Sequence, residues 1–359
     1  MKSTYPSDAL GEWTVVGTMS GTSLDGLDIC VATFSRTKKG WSFEIHSAET
    51  IGYSAEWNRK LSSAHRLSPK ELKKLDTEYS TFIRENVKAH LLANHTTQID
   101  LMGSHGHTLF HEPEKGITFQ LGNKEELKGD LPFPVACDFR VADVKLGGQG
   151  APLVPIGDEL LFHEYDVCLN LGGFANLSVG VCKDRLAWDI APVNITLNSF
   201  TQKLGLPFDD GGQIAAQSEV DKQVVEQLNR LAYYHESPPK SLGREWVEDH
   251  VLPLVEHLTP ESAIATLTCH SAFQIGRALH DLNAEKILCT GGGSYNRFLI
   301  EKIEKTAKAK ITIPQENIIN YKEALIFGFL GLLRYLGEDN VLSNVTGAKH
   351  DHCSGVLYD

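Results

Sequence analysis

The chain has 359 residues, beyond the size at which one hydrophobic core stops growing, so two domains with a ligand-sized cleft between them are expected. Hydrophobic residues make up 42% and charged residues 22%, proportions that rule against a disordered chain. The formal net charge of -12 argues against nucleic acid as a partner, since binding it takes clustered Lys and Arg against phosphates. The seven cysteines, Cys30, Cys137, Cys168, Cys182, Cys269, Cys289 and Cys353, form no close pair and lie mostly in apolar stretches, so they read as reduced thiols. The first ten residues lack the apolar core of a signal peptide, and the longest apolar run, 324–333, is about half of a membrane span. A cytoplasmic enzyme is expected.

Strand-like segments at 13–16 and 29–34 flank Gly17-Thr-Met-Ser-Gly-Thr-Ser-Leu-Asp-Gly-Leu-Asp28, which reads as a tight turn. Such turns hold phosphate. Gly17, Gly21 and Gly26 allow close approach, the amides with Thr18, Ser20, Thr22 and Ser23 donate to phosphoryl oxygens, and Asp25 and Asp28 suit a hydrated magnesium ion. An ordinary hairpin with its polar residues in water is the competing reading. A third strand is expected over 41–51, then a helix over 69–93, where Leu72, Leu75, Tyr79, Phe82, Ile83 and Val87 recur at three and four. Short strands follow at 101–104, 117–121 and 135–137. His105 and His107, at a strand end with His111 and Glu112 soon after, have a spacing that invites a metal site, although hydrogen-bonded residues near a turn are commoner there.

The pattern restarts midway. A strand at 167–171 meets Gly172-Gly-Phe-Ala-Asn176, strands at 177–181 and 185–188 follow, and a helix begins after Pro192. Residues 209–239 read as helical and polar, 238–244 as an ordered loop, and 260–282 as a long helix capped by Thr259. A strand at 286–289 runs into Thr290-Gly-Gly-Gly-Ser294, with a helix from near Asn296, and a last helix over 322–336 stops at Gly337. Hinges are expected near 137–143 and 340–345. Three glycine-rich turns suit a two-lobed nucleotide-binding protein that lacks a Walker lysine: two clamp phosphates and the third closes on base and ribose.

In spelling, 17–28 resembles the signature of the anhydro-N-acetylmuramic acid kinases, a family of the actin, sugar kinase and heat-shock ATPase superfamily. The resemblance continues in the family's order through Ser104-His-Gly-His-Thr108, His111-Glu-Pro113, Gln120-Leu-Gly122, Asp138-Phe-Arg140 with Asp143, and Gly147-Gly-Gln-Gly-Ala-Pro-Leu-Val-Pro155. Asn170-Leu-Gly-Gly-Phe-Ala-Asn176, Pro239-Lys-Ser-Leu-Gly-Arg244, Thr290-Gly-Gly-Gly293, Glu323-Ala324 and Val345-Thr-Gly-Ala348 complete it, from about residue 14 to the C-terminus. It implies an α/β, two-lobed actin-like (ribonuclease H-like) fold, each lobe a mixed sheet flanked by helices. Residues 1–137 with 345–359 would form the N-terminal lobe and 138–344 the C-terminal lobe.

The resemblance also implies an ATP- and Mg2+-dependent kinase. Water opens the bridge of 1,6-anhydro-N-acetylmuramic acid and the released O6 takes the γ-phosphoryl group. ATP would be bound by Gly21, Thr22, Ser23, Leu24, Asp25, Gly26, Leu27, Asp28, Gly172, Gly173, Asn176, Gly291, Gly292, Gly293 and Asn296, with Asp25 on the metal. The sugar would meet His105, Gln120, Asp138, Arg140, Gln149 and Asn194. Asp189 is the implied base of both steps and Glu323 the implied second catalytic residue, holding sugar or water. Read without the resemblance, Asp189 is a helix-capping carboxylate, Glu323 a first-turn glutamate favouring the helix dipole, and Arg140 with Asp138 a structural ion pair. A homodimer is implied, and no membrane or nucleic-acid partner is.

Two departures bear on the substrate. Where the family more usually has Asp-Thr-Gly-Pro-Gly-Asn, this chain has Asp189-Ile-Ala-Pro-Val-Asn194, and Asn198 stands where an aspartate is usual. A run of arginines is shortened to Arg140-Val-Ala-Asp143, removing positive charge that would meet the lactyl carboxylate. A kinase of the same fold for another amino sugar or anhydrosugar, or an ATP-binding sensor without turnover, are the competing functions.

Overall fold

The computed structural model describes residues 10–181 and 184–359. These divide into two compact units, one running to Leu161 and taking in Tyr321–Asp359, the other comprising Phe162–Asn320. The expected boundaries at 137/138 and 344/345 are thus displaced to 161/162 and 320/321.

In the first unit, β1 (Gly11–Ser20), β2 (Gly26–Thr37) and β3 (Gly40–Gly52) form an antiparallel meander. β4 (Leu101–Glu112) lies parallel to β1, β5 (Ile117–Leu121) pairs back on β4, and β6 (Val135–Cys137) is parallel to β4. In the second unit β7 (Val167–Leu171), β8 (Phe174–Val179) and β9 (Leu186–Pro192) repeat the meander, with β10 (Ile287–Thr290) parallel to β7 and β11 (Ile311–Thr312) parallel to β10. The last strand, β12 (Val356–Tyr358), pairs antiparallel with β6. The orders are β12-β6-β4-β1-β2-β3 and β11-β10-β7-β8-β9. In each sheet the first strand is central, with the rest of its antiparallel meander on one side and two strands parallel to it on the other; the first sheet adds β12 outside β6 and β5 on β4. That is the duplicated, mixed α/β arrangement expected.

The helix Pro69–Ala93 has the predicted bounds, set by a capping box in which the Ser68 hydroxyl accepts from Glu71 N–H and the Glu71 carboxylate accepts from Ser68 N–H. It buries Leu75, Tyr79, Ile83 and Val87 against Leu27, Ile29, Val31, Met102 and Leu121. In the second unit Thr259 caps the helix Pro260–Asp281, which covers the β7–β9 sheet with Leu267, Ile275 and Leu279.

The helix Glu316–Leu336 positions the first unit's chemistry. It crosses the sheet with backbone against backbone. A Cβ on Gly17 would stand 1.9 Å from the Ala324 carbonyl oxygen, and one on Gly103 2.2 Å from that of Phe327. Gly328 and Gly331 face Gly17 and Gly103 from the helix side. Gly17 is therefore not a turn residue as expected; it lies inside β1 and admits the helix.

Three other expectations are corrected. β4 runs on through the histidines to Glu112 instead of stopping at Ser104. The segment 209–239 is broken into short helices, Gln213–Gln217 and Lys222–Asn229 between 3-10 turns, because Gly211 and Gly212 take positive φ and Asp221 caps a new start. The last long helix begins at Glu316, not 322. The segment 350–353 near the C-terminus is packed: His352 is 7% exposed and bridges to Val341, and Asp351 accepts from the amide and hydroxyl of Ser343. No helix among the described residues is long and apolar enough to cross a membrane.

Candidate active site

The first glycine turn is tighter than its motif, because β1 continues to Ser20 and β2 resumes at Gly26. Leu24 takes φ 62°, a left-handed conformation that an apolar residue adopts only under constraint. Thr22, Ser23 and Asp25 are exposed at the tip, while Gly26 and Leu27 are buried. Asp28, on β2, accepts a 2.6 Å hydrogen bond from Thr50 on β3. Burial raises its pKa, the Thr50 bond opposes this and the Asp25 charge adds to it. Behind the turn, the Ser20 hydroxyl meets Tyr53 (2.7 Å) and His107 (2.9 Å), and Tyr53 meets Tyr79 (2.6 Å). Burial pushes His107 down to about 4, so it is neutral and structural.

His105 is also buried and neutral, at 3% exposure, with burial first and the Arg140 charge second in depressing its pKa. Its Nδ1 lies 3.0 Å from the Gly106 carbonyl, and its Nε2 accepts from Arg140 Nε (3.1 Å) and Nη2 (2.9 Å). Both ring nitrogens are engaged within the protein, so the residue orients Arg140. Arg140 also donates from Nη1 to the Gly150 carbonyl at 3.0 Å, and the expected ion pair with Asp138 does not form. Gln149, beside that carbonyl, is exposed in a loop held by Asp143, whose carboxylate accepts from Gly150 N–H and the Thr346 hydroxyl. Gln120 donates to Thr118 and leaves its buried Oε1 without a protein partner. Asp138, at φ 59°, has its pKa raised to about 6 by burial, against Lys145 and Lys124.

Glu323 sits one residue before the point where Gly17 meets Ala324, well inside its helix, so the first-turn dipole reading lapses. Solvent reaches its side chain, yet the surrounding protein desolvates the carboxylate and raises its pKa; Lys322 and Arg140 oppose that, Asp28 and Asp158 reinforce it.

In the second unit, register aligns Thr290 with Asn170, Asn170 with Asn176, and Asn176 with Asp189, a polar row across four strands. Asn176 pairs with Asp189 and Ala175 with Ala191, leaving Ile190 as the extra residue of a bulge. Asp189 is half-buried and not a helix cap. Its Oδ2 accepts from Leu242 N–H at 2.8 Å, and Oδ1 takes no hydrogen bond from a described residue. Burial raises its pKa and the Leu242 bond opposes the rise. A half-buried carboxylate with one open oxygen can accept a proton.

Gly172 and Gly173 form the two-residue turn between β7 and β8, and their carbonyls accept from the amides of Val193, Asn194 and Ile195. The Asn194 side chain donates to the Leu171 carbonyl at 3.3 Å. The third turn needs its glycines: Gly291 has φ 83° and a Cβ there would stand 2.5 Å from Asn170 Oδ1, while one on Gly293 would stand 2.8 Å from Leu171 Cβ. Gly292 is exposed. Asn296 Oδ1 caps the helix Arg297–Ala307 through Leu299 N–H, so its side chain serves that helix.

A family profile described as anhydro-N-acetylmuramic acid kinase matches residues 13–359. The chain belongs to the anhydro-N-acetylmuramic acid kinase family. Relatives of that name include one from Azorhizobium caulinodans, 33% identical over 96% of this chain and 98% of its own length. Another, from Methylobacterium nodulans, is 32% identical over 95% and 98%. Among solved structures, (R)-2-hydroxyglutaryl-CoA dehydratase component A of Acidaminococcus fermentans overlays loosely, at TM-score 0.47 and 12% identity over 90% of this chain and 99% of that one.

Within the family's motifs, motif reading singled out Asn176, Asp189, Asn194 and the glycines of the second unit, which the fold brings to one end of one sheet. It passed over Asn170 and Leu242, although both stand inside quoted motifs. Tyr233, whose hydroxyl donates to the Asp189 carbonyl from 44 positions away, carries no local signal at all.

Proposed function

We propose that this member of the family opens 1,6-anhydro-N-acetylmuramic acid with water and phosphorylates the released O6 from ATP, giving N-acetylmuramic acid 6-phosphate and ADP in the recycling of cell-wall sugar. The observation that carries the reading is Asp189: a half-buried carboxylate re-aimed by a bulge, one oxygen held and the other open. Its Oδ1 takes a proton from water as the water oxygen bonds the anomeric carbon. The bond from that carbon to O6 breaks with its electron pair on O6, which attacks the γ-phosphorus. The bond to the bridging oxygen breaks with its pair on ADP, and the Asp189 proton leaves to solvent. Glu323 holds the sugar or the water.

Phosphoryl transfer asks for positioning and charge neutralisation. In the first unit the amides and hydroxyls of 21–26 supply donors, and in the second unit the amides of the turns at 172–173 and 291–293 do. Magnesium carried by a triphosphate takes one or two carboxylates. Asp25 is exposed at the turn and Asp28 is half-buried beside it, its pKa raised chiefly by burial and to a smaller extent by the Asp25 charge; two carboxylates three residues apart are oxygen donors of the kind the ion takes, so this donor set fits it. Asp25 and Asp28 would hold it, and when bound it neutralises charge on the transferred group. ATP use is consistent with a cytoplasmic enzyme.

A second reading, a kinase for an anhydrosugar without a lactyl acid, is favoured by the shortened arginine run, in which Arg140 stands alone and directs three of its five N–H groups to His105 and Gly150. ADP release with a panel of anhydrosugars, run in heavy-oxygen water, separates the two. The first reading expects turnover of the anhydromuramyl compound, with heavy oxygen at the anomeric carbon and none in the phosphate. Turnover only of sugars without the acid selects the second, and heavy oxygen in the phosphate overturns both.

A further inference from the structure

Asp189 lies on β9, an edge strand, and its free edge is covered by a segment far away in sequence. Asp189 N–H donates to the Lys240 carbonyl at 3.1 Å, and Leu242 N–H reaches the Asp189 carboxylate, so the loop 240–242 is tied to that edge by one main-chain and one side-chain hydrogen bond. The Lys240 ammonium donates to the Tyr233 carbonyl at 2.7 Å and stands 4.4 Å from the centre of the Tyr233 ring. The Tyr233 hydroxyl donates to the Asp189 carbonyl at 2.6 Å, which closes a ring of three hydrogen bonds through Asp189, Tyr233 and Lys240. Tyr234 and Trp246 pack on the Tyr233 ring at 5.7 and 5.3 Å.

We propose that this ring is a clamp that aims the base: the Leu242 amide holds Oδ2, so that Oδ1 alone presents to the reacting water, while Tyr233 and Lys240 fix the main chain beneath. The inference rests on the reading of Asp189 as the base. A carboxylate with both oxygens loose turns about its Cβ–Cγ bond, and turning spreads the proton acceptor over several positions. Pinning one oxygen removes that spread. The same bond favours the charged form and opposes part of the rise that burial imposes on the half-buried group. Tyr233, Lys240 and Leu242 are positioning residues, acting through Asp189.

Leu242→Pro deletes the amide hydrogen, and Leu242→Ala, which keeps it, sets the effect of losing the side chain alone. Leu242→Pro is expected to show kcat about tenfold below Leu242→Ala, KM for ATP within about twofold, and an acid limb of the kcat profile moved upward by roughly one pH unit. Equal kcat and equal acid limbs in the two variants overturn the clamp. Where Leu242→Pro does not fold, Tyr233→Phe decides: kcat reduced about fivefold at unchanged KM supports the clamp, and parental kcat overturns it. Asp189→Asn separates the two layers. Parental turnover in that variant removes the base and the clamp with it, whereas an inactive Asp189→Asn beside unaffected clamp variants removes the clamp alone.

Discussion

Asp138 combines a left-handed backbone with a carboxyl pushed up to about 6 by burial. Its folded-state pKa lies above the ordinary value of 3.8, so the native protein favours the protonated form. That contribution is fully present below about pH 3.8 and is lost as pH rises through about 6. Asp138→Asn removes the charge and suits a positive φ at least as well. Thermal melts should therefore give the variant a higher Tm than the parent at pH 8 and a smaller advantage at pH 4; an equal advantage at both would contradict the raised pKa. Asp189 follows the same direction in function, so kcat should begin to fall at a higher pH than an ordinary aspartate would impose, and Asp189→Asn should abolish turnover while nucleotide affinity stays near parental.

The crossing of the helix Glu316–Leu336 over β1 and β4 sets the position of Glu323. Because the atoms that a Gly17 Cβ would strike belong to backbone, neither side can yield cheaply, and Gly17→Ala should destabilise by about 3 kcal/mol. Gly147→Ala, at φ 86° but in open space, should cost about 1–2 kcal/mol. Urea denaturation of both variants checks the order, and the reverse order would show that the helix is free to move. Sequence reading found the helix and its Gly337 stop, because the apolar run 324–333 is conspicuous. It missed the first six residues, since Glu316, Asn317 and Asn320 dilute the pattern. It also placed Gly17 in a turn, because nothing local says that a helix three hundred residues later needs the space. β4 was cut short because His105 and His107 look like loop residues, whereas buried hydrogen bonds to Arg140 and Ser20 let them lie inside a strand. The glycine turns and Asp189 were legible from motif spelling; the partners of Asp189 were not, because they come from 233–242 through backbone atoms that carry no side-chain signature.

At the scale of the whole molecule, each unit carries a neutral core histidine. His107 in the first is depressed to about 4, and His270 in the second to about 3, where its ring joins Asn229 and Tyr234 at 2.8 Å each. A depressed folded-state pKa stabilises fully above about 6.5 and is lost as pH falls toward the folded value, at about 1.4 kcal/mol per pH unit for each proton. Carboxyls with raised values, Asp138 and Glu323 among them, act in the opposite sense, so a variant pair is needed to see the histidine. His270→Gln should be less stable than the parent at pH 8, and the gap should narrow by pH 5; a constant gap would mean that the ring is not titrating.

The second unit is one continuous stretch, Phe162–Asn320, whereas the first must wait for Tyr321–Asp359 to supply the crossing helix and the strand beside β6. On the ribosome, the later-made half can therefore mature first, while the earlier-made half stands with an unfilled groove along Gly17 and Gly103. Chains truncated after residue 320 and released should resist protease across 162–320 and be cut before it. The same dependence makes the extreme C-terminus a poor place to trim, since removing Val356–Tyr358 bares the edge of β6 immediately ahead of Asp138 and Arg140.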